Sequence, residues 1–468
     1  MKIKIYFWII GLSFISTIES CESFVEMDSP NFQMTTEDVY NKEKTTIAAV
    51  RGIYNQLYIA NFSSYGVSLL GAVSGDLLIA RAESNLLQFD QHDLFSINTP
   101  DASLNQNIWS SAYNIIYLAN KALEGLKTAD ISNDLRKELR GQVLFIRAFS
   151  YFYLTNIYGD VPLLLTSNYE TNAVAPRNPT KEVWQQIESD LDEAIVLLKK
   201  TTDYLNDERY YVNRTTAIAL RARVYLFKED WVNAELFSSK VIDHSELYSL
   251  ETNVENVFKA NSKEAIWQIA PDGVNNFTPR ESRNFVLLAN ITGTTITGNT
   301  ALSDDFTGSF DIADKRNKWI GKVSSNTEQE NFSDKYWFDN DGTIQQYSMV
   351  MRLAEQYLIR AEARAKQSKL SEAIADIDKI RKRAGIGLIA DLNPNIEERA
   401  LLDSIMLERK RELFTEWGHR WLDLKRTGRV DSIFKDNPTW QNTDVLYPVP
   451  GEERLKNPFL TQNDGYDN

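Results

Sequence analysis

Residues 407–426 constrain the fold more than any other stretch. Leu407, Phe414, Trp417, Trp421 and Leu424 recur at spacings close to 3.6, which lines one helical face with apolar and aromatic side chains. Two tryptophans one turn apart on that face predict a helix that closes a core rather than one that reacts. Charges occupy the remaining positions at helical distance. Arg409 to Glu412 is i to i+3 and Glu416 to Arg420 is i to i+4, pairs that contribute about 0.2–0.5 kcal/mol each on an exposed face. The reading is one unbroken helix over residues 397–426, apolar inward and ion-paired outward.

A chain of 468 residues can bury a sizeable core around such a helix. Its formal net charge of −14 argues against a nucleic-acid partner, since no lysine–arginine tract reverses that field locally. The single cysteine, Cys21, excludes an internal disulfide framework and a cysteine-based zinc cluster. His92, His244 and His419 are too scattered for a histidine metal site. Asp304, Asp305, Asp311 and Asp314 offer the oxygen ligands calcium takes, but at the spacing of no known loop. No cofactor or metal is expected.

Residues 1–20 read as a secretory signal, with Lys2 and Lys4 before an apolar run over residues 5–15 and a short polar approach to Cys21. The apolar run is too short to span a membrane. The segment resembles a bacterial lipoprotein signal, in which Cys21 is lipidated after cleavage, although Glu19 stands where the usual signal has a small residue. Acyl chains on Cys21 would anchor the protein at about 0.8 kcal/mol per buried methylene. Residues 21–35, acidic and without helical period, read as a tether.

The body reads as helical from residue 36 to 249, apart from a glycine-punctuated, loop-rich stretch over residues 61–104. Ala222, Tyr225 and Ala234 recur at the offsets of tetratricopeptide repeats, and the same offset of twelve links Ala361 to Ala373. Small residues there let two helices approach closely. Residues 250–348 lose the helical period and gain Gly, Asn, Thr and aromatics, with one alternating stretch over residues 264–269 that predicts a short strand. Helices resume over residues 349–426, and a proline-fixed tail completes the region that ends at residue 468.

Several of these segments resemble the SusD/RagB family of surface lipoproteins. The resemblance rests on Glu408-Arg409, Arg411-Glu412-Leu413, Glu416, Gly418, Arg420-Trp421, Asp423-Leu424 and Arg426. It extends to Gly159-Asp160-Val161-Pro162 after a helix, to Phe310-x-x-x-Asp314-x-Arg316, to residues 349–363 and to the tail from Tyr447 to Tyr466. It implies a mainly α fold: a tetratricopeptide-like scaffold of helical pairs carrying a loop-rich, weakly β insertion. It also implies an outer-membrane, cell-surface protein that binds a nutrient, most often an oligosaccharide or polysaccharide. Such a protein acts as the lid of a SusC-like TonB-dependent transporter.

No phosphate-binding glycine loop, nucleophile elbow or His-Glu-x-x-His motif is present, and no catalytic residue is assigned. A glycan offers apolar ring faces fringed by hydroxyls, so its site needs aromatic side chains flanked by polar groups. Trp319, Tyr336 and Trp337 are the candidates for stacking, with Asp76 and Arg352 as polar partners. A scaffold role competes at each: Trp337 can cap the helix layer and Arg352 can sit in an ion pair. Two other classes compete for the whole chain, a surface-attached helical glycoside hydrolase and a helical-repeat scaffold for protein partners. A hydrolase needs only two carboxylates.

Overall fold

The computed structural model describes residues 36–81, 86–93, 103–199, 208–273, 277–337 and 342–466. Cys21 and the tether lie outside the described residues. The principal elements in chain order are α1 (Glu43–Ile59), α2 (Val67–Val73), β1 (Leu78–Ala80), α3 (Ser103–Thr128), α4 (Asn133–Tyr158), α5 (Thr180–Leu197), α6 (Arg214–Phe227) and α7 (Trp231–Ile242). Then come β2 (Ala265–Ile269), α8 (Arg280–Phe285), β3 (Thr300–Leu302), β4 (Ile320–Ser324), β5 (Gln329–Ser333) and β6 (Ser348–Arg352). The last are α9 (Leu353–Lys366), α10 (Leu370–Ala384), α11 (Glu398–Glu412) and α12 (His419–Arg426). The fold is mainly α, and no described helix is long and apolar enough to cross a membrane.

The helices stack in sequence: α3 packs on α4, α4 on α5, α6 on α7, α7 on α9 and α9 on α10. The small residues make this possible. Ala222 and Ala234 are fully buried with Ile359 and Ala363 where α6, α7 and α9 meet, and Ala361 and Ala373 are fully buried where α9 meets α10. Caps fix the helix starts. Asn213 and Thr216 form a reciprocal capping box on α6, and the Ser132 hydroxyl accepts the Leu135 N–H on α4.

Part of the stretch read as loop, residues 62–73, is helical: a π-helical turn over Phe62–Gly66 runs into α2. Its glycines serve close approach rather than a turn. A Cβ added to Gly71 would strike the Gly418 backbone, where α2 crosses the start of α12. Gly71→Ala is therefore expected to destabilise the protein by about 1–3 kcal/mol, because backbone cannot yield as a side chain does. Urea denaturation would measure it.

Among the described residues the small sheets are all two-stranded and antiparallel: β1 with β3, β4 with β5, β2 with β6, and a short fourth pair over residues 288–289 and 296–297. The strand expected near residues 264–269 is β2; it pairs with β6 and is wholly buried, with α1 and α6 packed against it.

The helix expected over residues 397–426 is broken. α11 ends at Glu412 and α12 begins at His419, and Thr415, Trp417 and Gly418 all have positive φ between them. The break turns Trp417 inward. It packs on Phe149 and Tyr153 at ring distances of 5.0 and 5.3 Å, and its indole N–H donates to the Met349 carbonyl at 2.9 Å. The charges are not on a solvated face. Arg409 pairs with Asp423 at 2.7 Å, while Glu412 and Glu416 turn into a buried ion cluster. Leu407, assigned to the apolar face, is 40% exposed.

Candidate functional site

The structure does not bring the five residues singled out from the sequence to one surface. Trp319 is 2% exposed, its indole N–H donates to the Val254 carbonyl at 2.9 Å, and it packs on Phe258 and Phe414. Tyr336 is also buried, and its hydroxyl accepts the Met349 N–H at 2.8 Å. Neither ring has a face open to a sugar. Asp76 holds Arg420 through both carboxylate oxygens, at 2.7 and 2.9 Å, and Lys410 at 3.0 Å.

Arg352 belongs to the buried cluster. It pairs with Glu264 and Glu416 at 2.8 Å each and with Glu412. Arg383 bridges the same Glu264 and Glu412, and Arg316 joins Asp314, Glu408 and Glu412. The Phe310-x-x-x-Asp314-x-Arg316 pattern and the Glu408–Glu416 run are thus two halves of one assembly. Burial alone would raise the Glu412 pKa, but Arg383, Arg352 and Arg316 hold it well below the usual carboxylate range. Lys335 sits beside them, paired with Glu416 at 2.6 Å. Burial depresses its pKa to about 7 even though Glu416 favours the charged form. These groups have the charge and burial of a scaffold, with no path for a ligand among their hydrogen bonds.

Trp337 alone of the five remains half-buried rather than locked in the interior or an ion pair. Its backbone N–H donates to the Gln346 side chain at 3.0 Å, one residue before Tyr347. Tyr347 lines an open cleft of about 320 Å³. One wall is α1, which presents Arg51, Tyr54 and Asn55 at i, i+3 and i+4. The second is the Tyr210-Tyr211 pair, the third is the chain leaving β2 (Gln268 to Asp272), and the fourth is Ile344 and Tyr347 leading into β6.

The four tyrosines pack edge to face. Tyr54 and Tyr211 lie 5.1 Å apart at 88°, Tyr210 and Tyr211 4.6 Å apart at 61°, and Tyr210 and Tyr347 5.9 Å apart at 78°. The Arg51 guanidinium stands 5.5 Å from the centre of the Tyr211 ring. Backbone contacts fix the pair from behind: the Tyr210 carbonyl accepts the Trp267 indole N–H at 3.1 Å, and the Tyr54 hydroxyl accepts the Val212 N–H at 3.2 Å. Burial pushes the Tyr54 phenol well above its ordinary pKa, and burial with the Glu208 carboxylate does the same for Tyr210, so both stay un-ionised. The result is a concave aromatic surface with a cation and the exposed Asp272 at its edge. It fits a ligand with apolar faces and a hydroxyl fringe. Among the described residues no group of three or more His, Cys, Asp or Glu side chains could hold a metal ion.

None of these tyrosines is among the residues the sequence singles out for a site. The available signal was the tyrosine pair, together with Arg51, Tyr54 and Asn55 on one helical face.

Residues 23–226 match the family model described as starch-binding, associating with outer membrane, and residues 317–437 match that of the SusD family. The chain belongs to the SusD/RagB family. It is 27% identical over 523 residues to the SusD-like protein P2 of Formosa agariphila, covering 99% of this chain and 100% of that one. It is 24% identical to the starch-binding protein SusD of Bacteroides thetaiotaomicron, covering 70% of this chain and 72% of that one. Among solved structures, a SusD superfamily protein from Bacteroides vulgatus superposes with a TM-score of 0.77 at 20% identity, over 91% of this chain and 99% of that one. A laminarin-binding SusD-like protein superposes with a TM-score of 0.75 at 21% identity, over 91% of this chain and all of that one. These structural likenesses carry the SusD fold, helical scaffold and small sheets together.

Proposed function

We propose that this SusD/RagB protein captures a glycan at the outer-membrane surface, anchored through Cys21, and passes it to a SusC-like TonB-dependent transporter for which it serves as lid. The observation that carries the binding step is the tyrosine-walled cleft, whose aromatic rings and polar rim match a sugar's apolar faces and hydroxyls. The laminarin-binding relative and the starch-binding family description support a carbohydrate as the ligand class. The mechanism needs no covalent step: binding raises the local concentration of substrate, and lid closure delivers it to the pore.

Retardation of the protein in gels containing a panel of plant, algal, fungal and bacterial glycans tests the binding step. One or more glycans are expected to slow it without being cleaved. Release of reducing ends would make the protein a hydrolase, and no retardation by any glycan would remove the reading. Cys21→Ala is expected to move the protein from the membrane fraction to the soluble fraction. Retention of the variant on the membrane would exclude the lipid anchor.

A further inference from the structure

The short helix α8 ties two walls of the tyrosine cleft together. On one side it is pinned to α1: the Arg280 guanidinium donates to the Ile59 carbonyl at 2.5 Å, and the Tyr58 hydroxyl donates to the Thr278 carbonyl, just before α8, at 3.2 Å. Tyr58 lies one turn beyond Tyr54 of the cleft. On the other side, Glu281 of α8 is hydrogen-bonded to the Ser348 hydroxyl at the start of β6. Side chains alternate along an extended chain, so Tyr347 faces the cleft while Ser348 faces inward to Glu281. Ser348 also pairs in register with Ile269, which lines the third wall.

Glu281 is 2% exposed, and its second carboxyl oxygen has no hydrogen-bond partner. The charged and titratable groups that act on it are Arg280 on α8, Tyr58 on α1 and Tyr336 beneath β6, while Asp272 at the end of the β2 wall and Arg283 on α8 act on Tyr58. None is hydrogen-bonded to the carboxyl. An ionised carboxylate held only by one hydroxyl and its own backbone N–H, with its second oxygen unpartnered, is costly in such a place, whereas a neutral carboxyl is not.

We infer that Glu281 is a positioning residue: its neutral carboxyl, accepting the Ser348 hydroxyl, holds the β6 wall at its spacing from α1, and its ionisation opens the tyrosine cleft because the buried charge, with one oxygen unpartnered, draws water between α8 and β6. Burial raises its pKa from 4.5 to about 8, with the Ser348 bond, its own backbone N–H and the Arg280 charge opposing the rise only in part. The folded chain therefore keeps a proton that the unfolded chain gives up near pH 4.5. The stability this group contributes is full below that pH and is lost as pH rises towards 8. If only the protonated form presents a competent cleft, ligand affinity falls by about tenfold one pH unit above the transition.

The inference rests on the cleft being the glycan site only for its ligand readout, so two measurements are paired. Amide hydrogen exchange of residues 344–349, corrected for intrinsic rates, is followed from pH 6.5 to 9.5 in the wild type and in Glu281→Gln. Protection in the wild type is expected to fall about tenfold above pH 8, and the variant is expected to show no such step. A wild-type profile without the step, or the same step in the variant, overturns the inference whether or not a glycan binds. The ratio of Kd at pH 9 to that at pH 7, for a glycan that retards the protein, is expected to be about ten in the wild type and near one in the variant. A ratio near one in the wild type also overturns it. Failure of every glycan to bind would instead remove the proposed function and leave the exchange result to decide this point.

Discussion

Glu412→Ala is expected to destabilise the fold by about 3–5 kcal/mol, a loss read as a fall in the urea midpoint with an unchanged slope. Glu412 is fully buried and is shared by Arg316, Arg352 and Arg383, and its backbone carbonyl accepts Arg352 at 2.7 Å and Lys335 at 2.9 Å. Removing one carboxylate leaves three guanidinium groups short of a partner in a site already stripped of water. That is the costly way to break a buried pair, unlike replacing the whole cluster by apolar groups. Glu412→Gln keeps the shape and some hydrogen bonds but not the charge, so it should fall between wild type and alanine. An alanine variant within 1 kcal/mol of wild type would mean that the cluster relaxes or admits water at little cost.

This cluster marks where the sequence stopped being informative. The periodicity of residues 397–426 showed a core-closing segment, and Trp417 and Trp421 are buried as their spacing requires. It could not show that Glu412 and Glu416 also point inward, because their partners lie far away in the chain: Arg352 is 64 residues from Glu416, and Arg316 is 96 from Glu412. Charged residues at helical spacing look the same whether they face solvent or a buried counter-charge. The same ambiguity made Arg352 and Asp76 read as ligand partners when their counter-ions occupy them. Trp319 and Tyr336 misled for a related reason. They sit in polar, aperiodic sequence, yet helices and loops from elsewhere cover them, and each donates or accepts one backbone hydrogen bond in the interior. The fold was legible from periodicity, the alanine offsets and the family motifs. The cleft was not, because its four walls come from segments separated by up to some three hundred residues and no local pattern joins them.

Tyr211→Ala is expected to weaken glycan binding by about 1–3 kcal/mol, roughly 5–150-fold in Kd. Tyr211 is central to the cleft: its ring touches both Tyr54 and Tyr210 and lies under the Arg51 guanidinium. Truncation removes a stacking face and frees two neighbours to reorient, so the loss exceeds that of a peripheral contact. Tyr347→Ala removes the opposite wall and should cost a similar amount. Because the two rings are linked through Tyr210, the double variant should fall short of the sum of the singles. Tyr169→Ala is the control. Tyr169 is 80% exposed on the short helix Tyr169–Asn172, which lines no part of the cleft, and its loss should leave Kd unchanged. Titration calorimetry with a glycan that retards the protein, alongside thermal unfolding of each variant, separates lost contact from lost fold. Wild-type affinity in a folded Tyr211→Ala would move the binding site off this cleft, while the buried cluster and the family assignment would stand as they are.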